Sequence, residues 1–219
     1  DDMGRVNIQE LLMYGERLTL ECKAAKNAVP NAVWPTYSSF CNTVGGVILL
    51  GIDEDLNEPD RSKRFSITGV HNAAKIIKEF WDTIHSDKVS ANILVDEDVY
   101  EEPYNGVNIV VIIVPQADYT SRPVYINGNP FKGTYKRNFE GDYHCTEEEV
   151  KIMLRDATDG GNDGVLLEYY TMDDIDMPSL RSYRNRFQSR NPSHVWNADD
   201  DATFLRNFGC LAKDRASGK

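Results

Sequence analysis

The segment of residues 40–53 contains a helix end, a glycine turn, a buried strand and a carboxylate in immediate succession. Pro35 fits the first turn of the helix, where its missing N–H is harmless, and Gly45 fits the left-handed position just after the helix ends. The continuous apolar run at residues 47–50 predicts a strand covered on both faces. Asp53 then lies at the predicted end of the strand, where binding sites are often built. By geometry alone, this is an ordinary helix-to-strand connection whose Asp53 begins a polar loop.

The rest of the chain alternates helical and extended patterns. Residues 17–23 alternate apolar and polar side chains, which predicts a strand that presents Glu21 and Lys23 on one face. Residues 71–86 repeat apolar side chains at three- and four-residue spacing, the pattern of an amphipathic helix. Further helices are predicted at residues 6–14, 35–43 and 147–156, and further strands at residues 47–52, 91–100, 107–114, 124–126 and 133–137.

A change in composition predicts a domain boundary. Residues 158–164 are rich in glycine, which indicates a hinge. We therefore expect one domain at residues 1–157, followed by the hinge and a helical linker at residues 158–219. The linker helices are bracketed by Pro178 and Pro192 and by Asn197 and Gly209.

The overall composition limits the class of protein. With 219 residues, 24.8 kDa and 41% hydrophobic residues, the chain can bury the core of one domain plus an appendage. No apolar run approaches the ~20 residues that span a bilayer, and no signal-peptide pattern opens the sequence. We therefore expect a soluble cytoplasmic protein without a membrane partner. The four cysteines are scattered and lie beside no histidine cluster, which argues against a disulfide framework or a zinc site.

The net charge of −11 argues against a protein coated with basic surface, because neutralising phosphates needs clustered Lys and Arg. Any nucleic-acid site must therefore be local. One basic cluster consists of Lys132, Lys136 and Arg137 on a predicted hairpin. A second consists of four arginines at residues 181–190, for which an ordinary solvated helix face beside acidic residues is the simpler explanation.

Three ordered blocks resemble the Schlafen AlbA-type domain, which occurs in bacterial transcriptional regulators and in animal Schlafen proteins. The first block, residues 15–23, has a Glu followed five residues later by Glu-x-Lys. The second is the Phe-x-Asn-Thr-x-Gly-Gly pattern, with its apolar strand and Gly-Ile-Asp ending, at residues 40–53. The third combines Arg-Pro-Val-Tyr at residues 122–125 with Gly-Thr-Tyr-Lys-Arg at residues 133–137. Together they are much more specific than any one block alone.

This resemblance implies an AlbA/Schlafen-like fold of the α/β (α+β) class, with a mixed β-sheet flanked by helices and a C-terminal helical extension. It also implies a nucleic-acid-binding domain of a bacterial transcriptional regulator, with DNA as the first expectation. Residues 158–219 resemble the linker that leads, in many bacterial members, to a C-terminal winged-helix or ATPase-like region absent from this sequence.

The resemblance also bears on oligomeric state. Schlafen proteins that clamp RNA carry two related lobes in one chain, whereas this chain has one copy of the blocks. An equivalent groove would require two subunits, so we expect a twofold homodimer. A module that only binds proteins or oligomerises is a further alternative.

The first alternative to a nucleic-acid-binding domain is a divalent-metal-dependent endoribonuclease. Glu16, Glu21 and Asp53 match acids that form a ribonuclease site in animal Schlafen proteins. Three converging carboxylates suit Mg²⁺ or Mn²⁺, which activates water and stabilises a phosphodiester transition state. An extended strand would separate Glu16 from Glu21 by ~16 Å and place them on opposite faces, so a shared metal requires a bend at Gly15. The simpler alternative is a solvent-facing Glu21 paired with a nearby cation.

The best candidate nucleic-acid site lies on the predicted late hairpin. Cationic side chains neutralise phosphates, and tyrosine stacks on bases. Alternation places Tyr135 and Arg137 on one face and Lys136 on the other, so one ligand cannot contact them all. An edge hairpin protected from aggregation by its lysines is equally consistent with the sequence. The candidate residues are Lys23, Arg122, Lys132, Tyr135, Lys136 and Arg137.

Overall fold

The structure, a computed structural model, describes residues 5–15, 19–139, 141–159, 177–190, 192–193 and 195–207. The chain divides into two compact units. The larger unit is Ile8–Thr158, and the smaller combines Asp1–Asn7 with Asp159–Lys219.

Helices and strands alternate along the larger unit. In chain order the described elements are α1 (Ile8–Tyr14), β1 (Leu20–Lys23), α2 (Val33–Asn42), β2 (Gly46–Leu50), β3 (Ile52–Glu54), α3 (Arg61–Arg64), β4 (Phe65–Ile67), α4 (Ala73–Ile84), β5 (Val99–Tyr104), β6 (Val107–Val114), α5 (Pro130–Gly133), β7 (Tyr135–Asn138), β8 (Gly141–His144) and α6 (Glu147–Asp159).

A four-stranded sheet with the order β1-β2-β6-β5 forms the centre of this unit. β1 runs parallel to β2, whereas β6 is antiparallel to both β2 and β5. The pairs β3-β4 and β7-β8 form separate two-stranded antiparallel sheets. The mixed sheet flanked by helices confirms the predicted fold class.

The core lies between the central sheet and two helices, α2 and α4. Every residue of β2 is buried, as its apolar run predicts, and Ile48 lies opposite the buried Ile112 of β6. The indole of Trp34 stacks on the ring of Phe80, with centroids 5.2 Å apart, and so joins α2 to α4. The period of α4 places Ile76, Phe80 and Ile84 on its buried face, which is the amphipathic pattern expected from the sequence.

Two of the predicted strands differ in the structure. Residues 91–95 are irregular and are followed by a 3₁₀ turn, so that β5 begins only at Val99. A local bond explains the turn, because the carboxylate of Asp98 accepts a hydrogen bond from the backbone N–H of Val95 at 3.0 Å. Pro103 lies within β5, which is possible because β5 is at the edge of the sheet and needs no bond on its outer side.

The late hairpin also pairs differently from the prediction. β7 pairs with β8 downstream, whereas residues 124–126 make only isolated bridges, Val89 with Ile126 and Tyr125 with Thr134. The short helix α5 separates the two predicted partners, and Asn129 caps it by accepting a hydrogen bond from the N–H of Phe131 at 2.9 Å.

Asp53 is not at the end of the buried strand. The chain turns at Gly51, whose φ is +106°, and residues 52–54 form β3 in a separate sheet with β4. Asp53 is exposed there, opposite Ser66.

The smaller unit contains α7 (Met177–Arg190), a 3₁₀ turn (Val195–Ala198) and α8 (Asp201–Asn207), in agreement with the predicted helical extension. Leu180, Phe204 and Leu205 form its described core. From Gly160 onward, the predicted glycine-rich hinge lies outside the described residues. Among the described helices, none combines the length and the apolar character that crossing a membrane requires.

The turn between α2 and β2 depends on Gly45. Its φ is +72°, and its N–H donates to the carbonyl of Phe40 at 2.8 Å, which ends the helix as the sequence predicts. A Cβ added at Gly45 would lie 2.7 Å from the carbonyl oxygen of Val114. Gly128 has nearly the same φ, +75°, but no atom lies within 4 Å of an added Cβ.

These two glycines separate backbone strain from steric overlap. We expect Gly128→Ala to lower the free energy of unfolding by about 1 kcal/mol, the cost of the left-handed conformation alone. Gly45→Ala should cost about 1–3 kcal/mol more, because the new methyl group must displace the backbone of residue 114. Urea denaturation of both variants measures the difference, and equal losses would contradict the close packing of this turn.

Candidate functional site

The guanidinium of Arg137 is buried between three elements of the larger unit. Its side chain is 2% exposed, and its Nη1 donates to Glu21 Oε2 at 2.8 Å and to Asp142 Oδ1 at 3.0 Å. Nη2 donates to the carbonyl of Leu20 at 3.1 Å, and the guanidinium lies 5.1 Å from the ring centroid of Phe40. We call Arg137, Glu21 and Asp142 the buried ion cluster. It connects β1, β7 and β8.

Helix α2 supplies further hydrogen bonds to this cluster. Thr36 Oγ1 donates to Asp142 Oδ2 at 2.6 Å, and Ser39 Oγ donates to Asp142 Oδ1 at 2.5 Å. A buried ion pair is stable only when its remaining polar atoms are hydrogen-bonded, since both charges have lost their water. The two hydroxyls therefore stabilise the buried carboxylate of Asp142, and they attach the cluster to α2.

The Asn-Thr pair of the second sequence block also attaches the late strands to α2. The Asn42 side chain donates to the carbonyls of Val124 and Tyr135 at 2.8 and 3.0 Å, and accepts from the N–H of Val124 at 2.8 Å. Thr43 Oγ1 accepts from the N–H of Arg137 at 2.9 Å. Residues of the second block are thus hydrogen-bonded to residues of the third. These bonds explain in structural terms why the two blocks occur together.

Of the predicted metal ligands, the structure describes Glu21 and Asp53. Glu21 Oε1 lies 2.7 Å from Lys23 Nζ while Oε2 binds Arg137, so two cations already pair with this carboxylate. Asp53 is exposed on β3, and no group of three metal-ligating side chains occurs in the part of the chain that the structure describes. Glu16 lies outside the described residues, so the Mg²⁺ or Mn²⁺ site of the triad stays a prediction.

Two of the six predicted nucleic-acid residues are held inside the domain or against its core. Arg137 was expected to contact phosphate, but its side chain is buried and occupied by two carboxylates, which makes it a structural residue. Tyr135 is half-buried, and its ring centroid lies 4.3 Å from that of His144. Lys23 and Arg122 are also half-buried, and Lys23 is paired with Glu21.

The remaining two predicted residues are Lys132 and Lys136, and the Lys136 side chain, 39% exposed, is only slightly more accessible than that of Lys23, 31% exposed. Lys132 is exposed in the last turn of α5. Lys136 is half-exposed, and its Nζ donates to both carboxylate oxygens of Glu149 at 2.9 and 3.0 Å. This bond to Lys136 holds the pKa of the Glu149 carboxyl below its usual value, and the same bond raises the pKa of Lys136. Glu149 also accepts from the N–H of Thr146, as expected for the capping box that opens α6.

Two exposed aromatic residues escaped the sequence analysis. Tyr143 is directly opposite Lys136 in the β7-β8 register, so the two side chains share one face, and the Tyr143 residue is 55% exposed. Phe139, which follows β7, is 79% exposed. We call Lys136, Phe139 and Tyr143 the hairpin surface. Once β7 is paired with β8, strand alternation places Tyr143 on the same face as Lys136. In the sequence, the signal for the turn between β7 and β8 was Gly141, two residues after Phe139.

The arginine-rich helix of the smaller unit is partly committed to its own fold. Arg184 Nη1 donates to Asp201 at 2.6 Å, and its guanidinium lies 4.6 Å from the ring centroid of Phe204. Arg181 is exposed on the same helix. Arg184 thus joins α7 to α8, in keeping with the expectation that this helix is paired or solvated.

Comparison with known families follows the same division of the chain. Residues 16–146 match the family model described as Schlafen, AlbA_2, and the chain therefore belongs to this family. Residues 151–219 match a model described as a domain of unknown function, DUF8451. No curated protein matches the chain.

Two solved structures are similar at low identity. The N-terminal domain of a RecG-related protein from Nitrosomonas europaea is 23% identical, over 63% of this chain and 90% of that domain, with a TM-score of 0.44. The DIP2311 protein from Corynebacterium diphtheriae is 17% identical, over 90% of this chain and 33% of its own, with a TM-score of 0.41.

The ion pairing of Glu21 predicts a stability effect. Glu21→Gln should lower the free energy of unfolding by about 2–3 kcal/mol, because the buried Arg137 loses one of its two carboxylate partners. Chemical denaturation monitored by tryptophan fluorescence measures the change. The control is Asp82→Asn, which breaks the exposed pair of Asp82 with Lys78 and should cost about 0.5 kcal/mol or less. Equal effects of the two substitutions would show that Glu21 has no structural role.

Proposed function

We propose that the larger unit binds nucleic acid through the hairpin surface, with Lys132 as an additional phosphate contact. The observation that carries this proposal is the position of the exposed Tyr143 opposite Lys136, with the exposed Phe139 in the turn of the same hairpin. A lysine beside exposed aromatic rings suits single-stranded nucleic acid, since the cation neutralises phosphate while the rings stack on bases. Membership of the Schlafen, AlbA_2 family supports the proposal.

DNA is the first nucleic acid to test, because the resemblance in sequence extends to bacterial transcriptional regulators. We propose such a regulatory role as the context of DNA binding. The net charge of −11 makes the proposed surface small, and repulsion from the remaining surface opposes binding. Affinity should therefore fall as added salt screens this focal attraction.

The ion pair of Lys136 with Glu149 regulates this surface in our proposal. In the free protein the Glu149 carboxylate pairs with the Lys136 ammonium group and accepts two hydrogen bonds from it. A phosphate group must compete with that carboxylate, since one ammonium group neutralises a single close anion best. Glu149 therefore weakens binding, and its removal offers a test in the opposite direction to the removal of lysine.

The proposal predicts distinct effects for the two kinds of side chain. Lys132→Ala with Lys136→Ala should weaken binding of a fluorescent oligonucleotide and reduce its log–log salt slope by roughly one per lost contact. Tyr143→Ser should weaken binding by roughly fivefold or more but leave the salt slope unchanged, because stacking releases no counterions. Fluorescence anisotropy against single-stranded DNA, RNA and duplex DNA at several salt concentrations measures both quantities.

Matched variants control for net charge and for loss of an exposed ring. Lys75→Ala with Lys78→Ala removes two exposed lysines from α4, and Tyr14→Ser removes a tyrosine that is 76% exposed on α1; neither should change affinity by more than the charge effect alone. Glu149→Gln keeps the capping acceptor and should strengthen binding roughly two- to fivefold. Unchanged affinity in both the double lysine variant and Tyr143→Ser would move nucleic-acid binding away from this hairpin.

We also propose that the protein forms a twofold homodimer, which would bring two hairpin surfaces to one ligand. The chain carries one copy of the family blocks, so a groove with two lobes needs a second subunit. Multi-angle light scattering at about 50 μM should give twice the mass of the chain, since an interface of standard size holds well below that concentration. A monomer mass at this concentration would remove the two-lobed groove but leave binding by a single hairpin testable.

A further inference from the structure

A cavity of about 380 Å³ lies in the larger unit, and it is lined by elements other than those of the hairpin surface. Its volume is in the range of sites that hold small organic ligands. None of its residues belongs to the hairpin surface, and none has been given a role so far. The lining residues are Gln9, Leu12 and Met13 of α1, Arg61 and Ser62 of α3, Phe65 and Ile67 of β4, and Tyr104 of β5.

The apolar part of the lining suits a flat ring. Phe65 and Ile67 are two residues apart on β4 and so share one face, and Met13 comes from α1. A thioether and a phenyl ring both make favourable contacts with an aromatic ring, whereas a branched aliphatic chain uses neither preference. These residues therefore favour a planar aromatic ligand.

The guanidinium of Arg61 is fixed in the wall by carbonyl groups. Its Nε donates to the carbonyl of Leu12 at 2.6 Å, and its Nη2 donates to the carbonyls of Leu11 and Gly15 at 3.3 and 2.7 Å. These carbonyls are at the C-terminal end of α1, which carries partial negative charge. The guanidinium also lies 5.7 Å from the ring centroid of Phe65. Arg61 is thus a donor held in one position in the wall.

Polar groups that hydrogen-bond nothing else among the described residues complete the lining. They are Arg61 Nη1, the side-chain amide of Gln9 and the hydroxyl of Tyr104, and together they supply donors and acceptors. A heteroaromatic ring has both kinds of group on its edge. An unsubstituted hydrocarbon ring would leave all three groups without partners, which costs affinity.

We propose that this cavity binds a planar heteroaromatic ring of the nucleobase type, with Phe65 and Met13 against its faces and Arg61, Gln9 and Tyr104 at its edge. The site shares no residue with the hairpin surface. Its ligand is a free base or nucleoside, so the site and the hairpin surface are tested independently.

Isothermal titration calorimetry with adenosine, guanosine, cytidine and uridine as separate probes tests the proposal. At least one nucleoside should bind with a dissociation constant of order 0.1 mM, as expected for a ligand of about 20 heavy atoms. Adenosine monophosphate should bind at least as tightly as adenosine, because Arg61 is the one charged residue of the lining. Failure of all four nucleosides at about 2 mM would overturn the proposal.

Neighbouring residues of α1 provide a matched pair of variants. Met13 lines the cavity and is 51% exposed, so Met13→Trp fills the cavity without disturbing the core and should weaken nucleoside binding at least tenfold. Tyr14 is 76% exposed and does not line the cavity, so Tyr14→Trp should bind as the unmodified protein does. Tyr104→Phe removes only the hydroxyl and should weaken binding by roughly threefold to tenfold. Equal affinity of Met13→Trp and Tyr14→Trp would place the ligand elsewhere and reject the proposal.

Discussion

The buried guanidinium of Arg137 sets a condition that several distant segments must meet together. A positive charge that is 2% exposed requires anionic partners, and both come from other strands: Glu21 from β1 and Asp142 from β8. The carbonyl of Leu20 takes a further donor of the guanidinium, and α2 supplies hydroxyls to Asp142. The hairpin β7-β8 is therefore held against α2 and the edge of the central sheet by one connected set of charged hydrogen bonds.

This cluster changes the interpretation of the family blocks. Glu21 belongs to the first block and Arg137 to the third, and each alone suggests a function, as a metal ligand or as a phosphate contact. In the structure they neutralise one another. Their pairing explains why an acid and a base at such distant positions occur in one pattern without either being available to a ligand. Alternation places Lys136 and Tyr143, which belong to the proposed binding surface, on the opposite face of the same hairpin.

Local signals in the sequence predicted much of the fold. The apolar run of β2, the period of α4 and the left-handed Gly45 each depend on a few neighbouring residues, and each is present as expected. The predicted pairing of residues 124–126 with 133–137 is present only as the bridge between Tyr125 and Thr134, because α5, a single turn whose capping by Asn129 carries a weak signal, lies between the two segments and β7 forms its ladder with β8. The burial of Arg137 could not be predicted either. It depends on one carboxylate more than a hundred residues away, that of Glu21, and on a second, that of Asp142, on the adjacent strand β8.

The structure shows how the predicted site residues are oriented. Lys132 and Lys136 face solvent to different degrees, whereas Arg137 faces inward, and the exposed rings of Tyr143 and Phe139 became visible only with the correct pairing. Strand alternation had already separated Lys136 from Arg137. What it lacked was the identity of the buried side, which is decided by the packing of β7 on α2 through Asn42 and Thr43.

Glu21 and Arg137 should stabilise the domain through each other. A double-mutant cycle of Glu21→Gln and Arg137→Met, measured as free energies of unfolding, tests this dependence. We expect a favourable coupling energy of about 1–3 kcal/mol between the two residues, because each substitution removes the interaction that the other also removes. Additive effects of the two substitutions, within about 0.5 kcal/mol, would contradict the buried ion cluster and return Glu21 to the set of candidate ligands.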